Sequence, residues 1–232
     1  MNDWASYSLQ NFIPFTENVY FRLMERIGET FWPLHLLTLA LGAGAVALVL
    51  KHRPRIACLL IAPVWAFVAV AFFMQRYGQL NWAGDYIGYA FLAQAALLVL
   101  ISLPGRGLGK SLHWKSPPVL TGGALVFFGL VVQPLLAPLA GDSWYQAQVF
   151  GVHPDPTAIV SLGVILLGLR SLAMWVAAVI PLLWILISAL TLLALDAPGA
   201  TVLFAVLVIG VLGLIGDACC NVAFLKRSNK GE

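Results

Sequence analysis

The chain has 232 residues, 61% of them apolar and only 10% charged, a balance that excludes a water-soluble fold. Its formal charge of +3 is too small and too divided among loops to attract nucleic acid. Three cysteines, Cys58, Cys219 and Cys220, all in or beside apolar stretches, exclude a disulfide framework.

Residues 1–31 read as an N-terminal segment outside the bilayer. The start lacks the basic region and short apolar core of a cleavable leader, so the mature chain is expected to begin at or near Met1, with the first spanning helix directing insertion. Thr16 can cap a helix with Glu17 in its first turn, and Tyr20, Met24, Ile27 and Phe31 recur at three- and four-residue spacing. This predicts an amphipathic interfacial helix, an anchor or lid on the bundle. Its polar side carries Arg22, Glu25, Arg26 and Glu29, placed to form a charge ladder.

Seven apolar stretches follow: 32–50, 56–74, 86–103, 119–140, 157–169, 172–195 and 200–225. Six have about the twenty residues that a spanning helix needs. The fifth is short and reaches only about 20 Å against a hydrocarbon core of about 30 Å. Loop charges argue that it nevertheless crosses, because Lys and Arg in short loops stay on the cytoplasmic side. Lys51, Arg53 and Arg55 follow the first stretch, Arg106, Lys110 and Lys115 the third, Arg170 the fifth, and Lys226, Arg227 and Lys230 the seventh. The alternate loops and the N-terminus carry most of the acids, including Asp85, Asp142, Asp155 and Asp196. The expected fold is therefore an all-α membrane protein, a seven-helix transmembrane bundle over residues 32–225. Its N-terminus lies outside and its C-terminus inside, and residues 226–232 form a basic cytoplasmic tail.

Ionisable groups within apolar segments are functional candidates, since burying their charge costs at least about 2.5–3.5 kcal/mol. Asp217 is the clearest, about 13 Å along a helix from Lys226. It reads either as a proton or cation site or as an acid held near the interface by Asn221 and basic loop residues. In the outer connection, Pro154 and Pro156 flank Asp155 and predict a break in the helix, with Thr157 or Asp155 capping the short fifth helix. His35 and His153, with Asp155, Asp142 and Asp85, could make a proton-linked or metal-binding vestibule, although separate roles as caps and interfacial residues are commoner. Gln94 and Gln133-Pro134 lie within the third and fourth helices, where each amide must find a partner; they could line a pathway or tie helices together. Cys58, Cys219 and Cys220 are weak candidates for a soft-metal site, because adjacent cysteines on one helix diverge by about 100°. Glycines at 42 and 44, 122 and 123, and 213 and 216 would permit close helix approach.

No Gly-x-Ser-x-Gly, P-loop, dinucleotide or zincin motif is present, so no catalytic set can be named. Retinal is set aside because none of Lys51, Lys110, Lys115, Lys226 and Lys230 lies in a predicted spanning stretch. Paired haem ligands are missing too, since His35 alone lies within one. No cofactor is expected.

The run from Trp4 to Leu9 through Phe12-Ile13-Pro14-Phe15-Thr16, then Tyr20-Phe21-Arg22-Leu23 and Trp32-Pro33-Leu34, resembles an uncharacterised family of small bacterial inner-membrane proteins. Phe150-Gly151-Val152-His153-Pro154-Asp155-Pro156-Thr157 and Pro181-Leu182-Leu183-Trp184 carry the same resemblance. It implies a multi-pass protein of the bacterial inner membrane, of a kind sometimes labelled permease. Relatives tend to have Cys between the two prolines and Thr-Thr after them, where this chain has Asp155 and Thr157-Ala158. The leading functional expectation is a small-solute or ion permease with proton or cation coupling, its polar route running from Asp155 toward Asp217. The alternatives are an accessory or assembly subunit of a larger membrane complex, in contact with a membrane-protein partner or a second copy, and a soft-metal binding protein. A membrane enzyme comes last.

Overall fold

A computed structural model describes residues 13–103 and 116–228, with side chains through Cys220. Among these residues eight helices form and no strand: α1 (Glu17–Thr30), α2 (Leu34–Leu50), α3 (Pro54–Leu80), α4 (Gly84–Ser102), α5 (Pro117–Ala140), α6 (Pro154–Gly168), α7 (Ser171–Ala194) and α8 (Ala200–Ser228). Helix is what an apolar chain in lipid must adopt, because it alone satisfies the backbone polar groups of a segment internally. Each of the seven apolar stretches is helical. Five of the helices, α3, α4, α5, α7 and α8, are long and apolar enough to cross a membrane. A sixth candidate span is α1 with α2, bent by 90° at their junction. Lys226 and Arg227 fall in α8 beyond its described side chains, and Arg106, Lys110, Lys115 and Lys230 lie outside the described residues, as do Trp4 to Phe12.

The amphipathic reading of α1 holds for its apolar side: Tyr20, Leu23, Met24 and Ile27 are buried against the bundle. Phe31, just beyond the helix, stacks edge-on against Phe67 at 5.0 Å. Thr16 is the N-cap residue, but its side chain makes no capping bond; its carbonyl receives the Val19 and Tyr20 amides instead. The polar ladder does not assemble, for among the described residues Arg22, Glu25, Arg26 and Glu29 form no ion pair with one another. Gly28 lets α1 dock on the loop between α5 and α6, where a Cβ would collide with the Tyr145 carbonyl.

Helix α6 is the centre of the molecule. All of its residues are buried, and α2, α3, α5, α7 and α8 pack around it, whereas the long helices leave much of their apolar surface free for lipid. At 15 residues it spans about 22 Å. The expected break at Pro154 and Pro156 is corrected here. The helix starts at Pro154 and takes both prolines into its first turn, where their missing N–H groups have no intrahelical partner to lose. Close packing of α6 on α5 depends on a glycine pair: a Cβ on Gly163 would lie 2.7 Å from the Gly122 carbonyl oxygen. Gly42, Gly213 and Gly216 also sit at tight contacts, while Gly123 faces open space.

Two spans contain stretches of wider, π-type turns. In α5, Phe128–Val132 adopts this register and the Gln133 amide bonds back to the Phe128 carbonyl. The cause is Pro134, which has no N–H to return to residue 130 in the ordinary register. In α3 the stretch is Ala69–Tyr77, and it presents Phe72, Phe73 and Tyr77 to the core.

Candidate functional site

The N-terminal end of α6 carries an acid inside the protein. Asp155 is 2% exposed, and both of its carboxylate oxygens are held from α7: Trp184 donates its indole N–H to Oδ1 at 2.8 Å and Ser188 its hydroxyl to Oδ2 at 3.0 Å. Trp184 and Ser188 are four residues apart, so one face of α7 delivers both donors. Tyr20 of α1 and Tyr77 of α3 lie close enough to feel the charge of Asp155. An aromatic wall closes the rest: Phe73 meets Trp184 edge-on at 4.9 Å, Phe91 meets it at 5.6 Å, and Trp65 packs on Phe91 at 4.4 Å. Farther along α6, Trp65 donates to Ser161 at 2.8 Å. Among the described residues no Lys or Arg forms an ion pair with Asp155.

The residues before α6 are pinned by side chains. Thr157 donates its hydroxyl to the His153 carbonyl at 2.6 Å and accepts the Gly151 amide at 2.8 Å. Gly151 has φ +80 and packs on Thr38 and Val64, a position that excludes a side chain. The Val149 amide donates to Nδ1 of His153 at 3.1 Å, and Nε2 faces the Met24 carbonyl at 3.3 Å, so a proton on Nε2 satisfies both contacts. Burial lowers the pKa of this imidazole to about 4, against the opposing pull of the Met24 carbonyl. The ring centroids of His35 and His153 are 6.1 Å apart, and Nε2 of His35 is buried with no hydrogen-bond partner.

At the other end of α6, Arg170 donates to the Leu166 and Leu169 carbonyls at 2.8 and 2.7 Å, closing the helix C-terminus. Its Nε also lies 3.8 Å from Oδ1 of Asp217, which is buried. The central helix thus has an acid at each end. Asp155, at the N-terminal end, is held by neutral donors, and Asp217, at the C-terminal end, faces a guanidinium.

The predicted vestibule does not form as an open space. His153, His35 and Asp155 are buried, while Asp85 and Asp142 are exposed, and no group of three metal-capable side chains exists among the described residues. The same finding bears on the cysteines, since Cys58 is buried and Cys219 and Cys220 are exposed without assembling a three-thiolate cluster. Thr157 and Asp155 do not cap α6 as expected: the N-cap residue is His153, and Asp155 turns to α7. Gln94 donates to the Ala177 carbonyl at 2.9 Å and Gln133 to Oε1 of Gln148 at 3.1 Å, so both amides tie elements together, each with a buried Oε1 left unpaired.

Trp184, Ser188, Ser161 and Arg170 were not named as site residues by sequence reasoning. The available signal was the placement of Trp184 in the middle of an apolar helix, since spanning tryptophans usually sit at the ends. Trp184 also forms part of an apolar groove of about 330 Å³ between α4 and α7, lined with Tyr86, Ala90, Phe91, Ile180 and Leu183.

These features define a multi-pass, all-helical membrane protein built around an enclosed helix with a buried acid. The chain belongs to DUF6064, a family of unknown function whose model matches residues 17–223. Among the curated proteins none matches, and no solved structure does either.

Proposed function

We propose that the protein is a cation- or proton-coupled carrier of the bacterial inner membrane, with Asp155 as the coupling carboxylate in an occluded state. The observation that carries this reading is the isolation of Asp155: it is buried, hydrogen-bonded by two neutral donors, and without a described basic partner. A charge in that setting is costly unless it is neutralised. A carboxyl that must hold either a proton or a cation can exchange one for the other. Tyr20 on α1 and the aromatic wall of α3 and α4 stand over the acid, which makes α1 the natural gate on that side. Asp217, faced by Arg170, takes the role of an inner structural acid in this scheme.

The test uses proteoliposomes containing a trapped pH dye and challenged with inward gradients of sodium, potassium or a small organic ammonium ion. At least one of these should drive proton efflux through the wild-type protein, and Asp155→Asn should abolish that efflux while Asp85→Asn leaves it in place. No proton movement with any of the three, or equal movement in Asp155→Asn, defeats the reading.

A further inference from the structure

A second site lies along the flank of α1, beside its buried face, between α1 and the end of α3. It is a groove of about 560 Å³ lined by Val19, Arg22, Leu23 and Arg26 on one side and Gln75, Arg76, Gln79 and Leu80 on the other. Arg22 and Arg26 are four residues apart, so their guanidinium groups project along the same wall. Arg76 enters from the facing wall already oriented, with Nη1 bonded to the Ala71 carbonyl at 2.8 Å and its guanidinium 4.8 Å from the Phe31 ring centroid. Glu25 and Glu29 share α1 but do not line the groove, and among the described residues neither forms an ion pair with these arginines.

Three arginines line this groove with no carboxylate among its lining residues, and an anion placed among them would offset the mutual repulsion of their charges. Guanidinium pairs bidentately with phosphate oxygens, and neutral donors come from the Gln75 amide and from the second N–H of Gln79, whose Nε2 already donates to the Gln75 carbonyl at 2.9 Å. We propose that this groove binds a phosphate group. The apolar sides of Val19, Leu23 and Leu80 next to the arginines suit the phosphate of a phospholipid headgroup, whose acyl chains would continue along the bundle. Occupied in this way, the groove clamps α1 to α3. The site is independent of Asp155, since the groove includes neither that acid nor its two donors.

The experiment uses the full-length protein in a neutral detergent, with thermal unfolding followed during titration of phosphatidylglycerol, inorganic phosphate, or a diacylglycerol with the same acyl chains. Phosphatidylglycerol should raise the melting temperature saturably, and the diacylglycerol should not. In Arg22→Gln/Arg26→Gln, two exposed side chains, the apparent affinity should fall about thirtyfold, at roughly one interfacial charge interaction per arginine. Arg53→Gln, at the far end of α2, should bind as the wild type does. Stabilisation by inorganic phosphate that is lost in the double variant would support the site and assign it to the free anion. The proposal is overturned if the diacylglycerol matches phosphatidylglycerol, if neither phosphate compound shifts the melting temperature, or if the double variant binds as tightly as the wild type.

Discussion

Trp184 and Asp155, 29 residues apart in sequence, are joined by a 2.8 Å hydrogen bond from indole to carboxylate inside the bundle. The bond fastens the first turn of the enclosed helix α6 to the middle of α7. It holds the acid in the core behind Trp184, whose own ring lines the apolar groove between α4 and α7.

Removing either donor leaves a buried carboxylate oxygen short of a partner. Trp184→Phe and Ser188→Ala should each destabilise the protein by about 1–3 kcal/mol. Asp155→Asn should cost less, because an amide keeps one acceptor and carries no charge. Thermal unfolding in detergent ranks the three; a larger loss in Asp155→Asn than in Ser188→Ala contradicts the donor arrangement.

The contact between α5 and α6 leaves no room for a side chain. Gly163→Val should destabilise by roughly 1–3 kcal/mol or more through overpacking against the Gly122 carbonyl and Val126. Gly123→Ala, facing open space, should be neutral or slightly stabilising. The fraction of protein running as a monodisperse species in size-exclusion chromatography checks the pair, and equal yields in both variants would refute the packing argument.

His153 ties acid sensitivity to the loop before α6. Its pKa is lowered in the folded protein to about 4, mainly by burial, against about 6.5 for an ordinary histidine. The unfolded chain therefore binds the proton more readily, so stability is fully present above about pH 6.5 and declines as pH falls toward 4. Protonation would also cost Nδ1 its role as acceptor for the Val149 amide. Unfolding measured across that window should show a weaker pH slope in His153→Gln than in the wild type.

Arg170 serves three partners, and the two carbonyls it caps are nearer than Asp217. Arg170→Gln should accordingly destabilise more than Asp217→Asn, by about 1–2 kcal/mol. Equal losses would mean that the ion pair, rather than the helix cap, is the main contribution.

Reporter fusions decide the threading. A reporter joined after Lys226 should lie in the cytoplasm and one in the loop 143–148 outside. Both on the same side would require α6 to turn back without crossing, and would remove the proposed outer position of α1.

Much of the architecture was legible from hydropathy and spacing, because both are local properties of the chain. Each of the seven apolar stretches is a helix, and the periodicity of Tyr20, Met24 and Ile27 correctly marked the buried face of α1. The break at Pro154 and Pro156 was misread for a reason that is also local: two prolines forbid a helix before them and are equally at home in its first turn.

Sequence alone determined that this chain lives in a membrane and where its helices lie, since transfer of apolar side chains from water depends on composition within a short window. Only the tertiary structure decided that the shortest helix is the enclosed one, that Asp155 is isolated while Asp217 meets Arg170, and that Arg22, Arg26 and Arg76 share one groove. The energy of a charge depends on the neighbours packed around it, and those come from distant parts of the chain that no local pattern brings together.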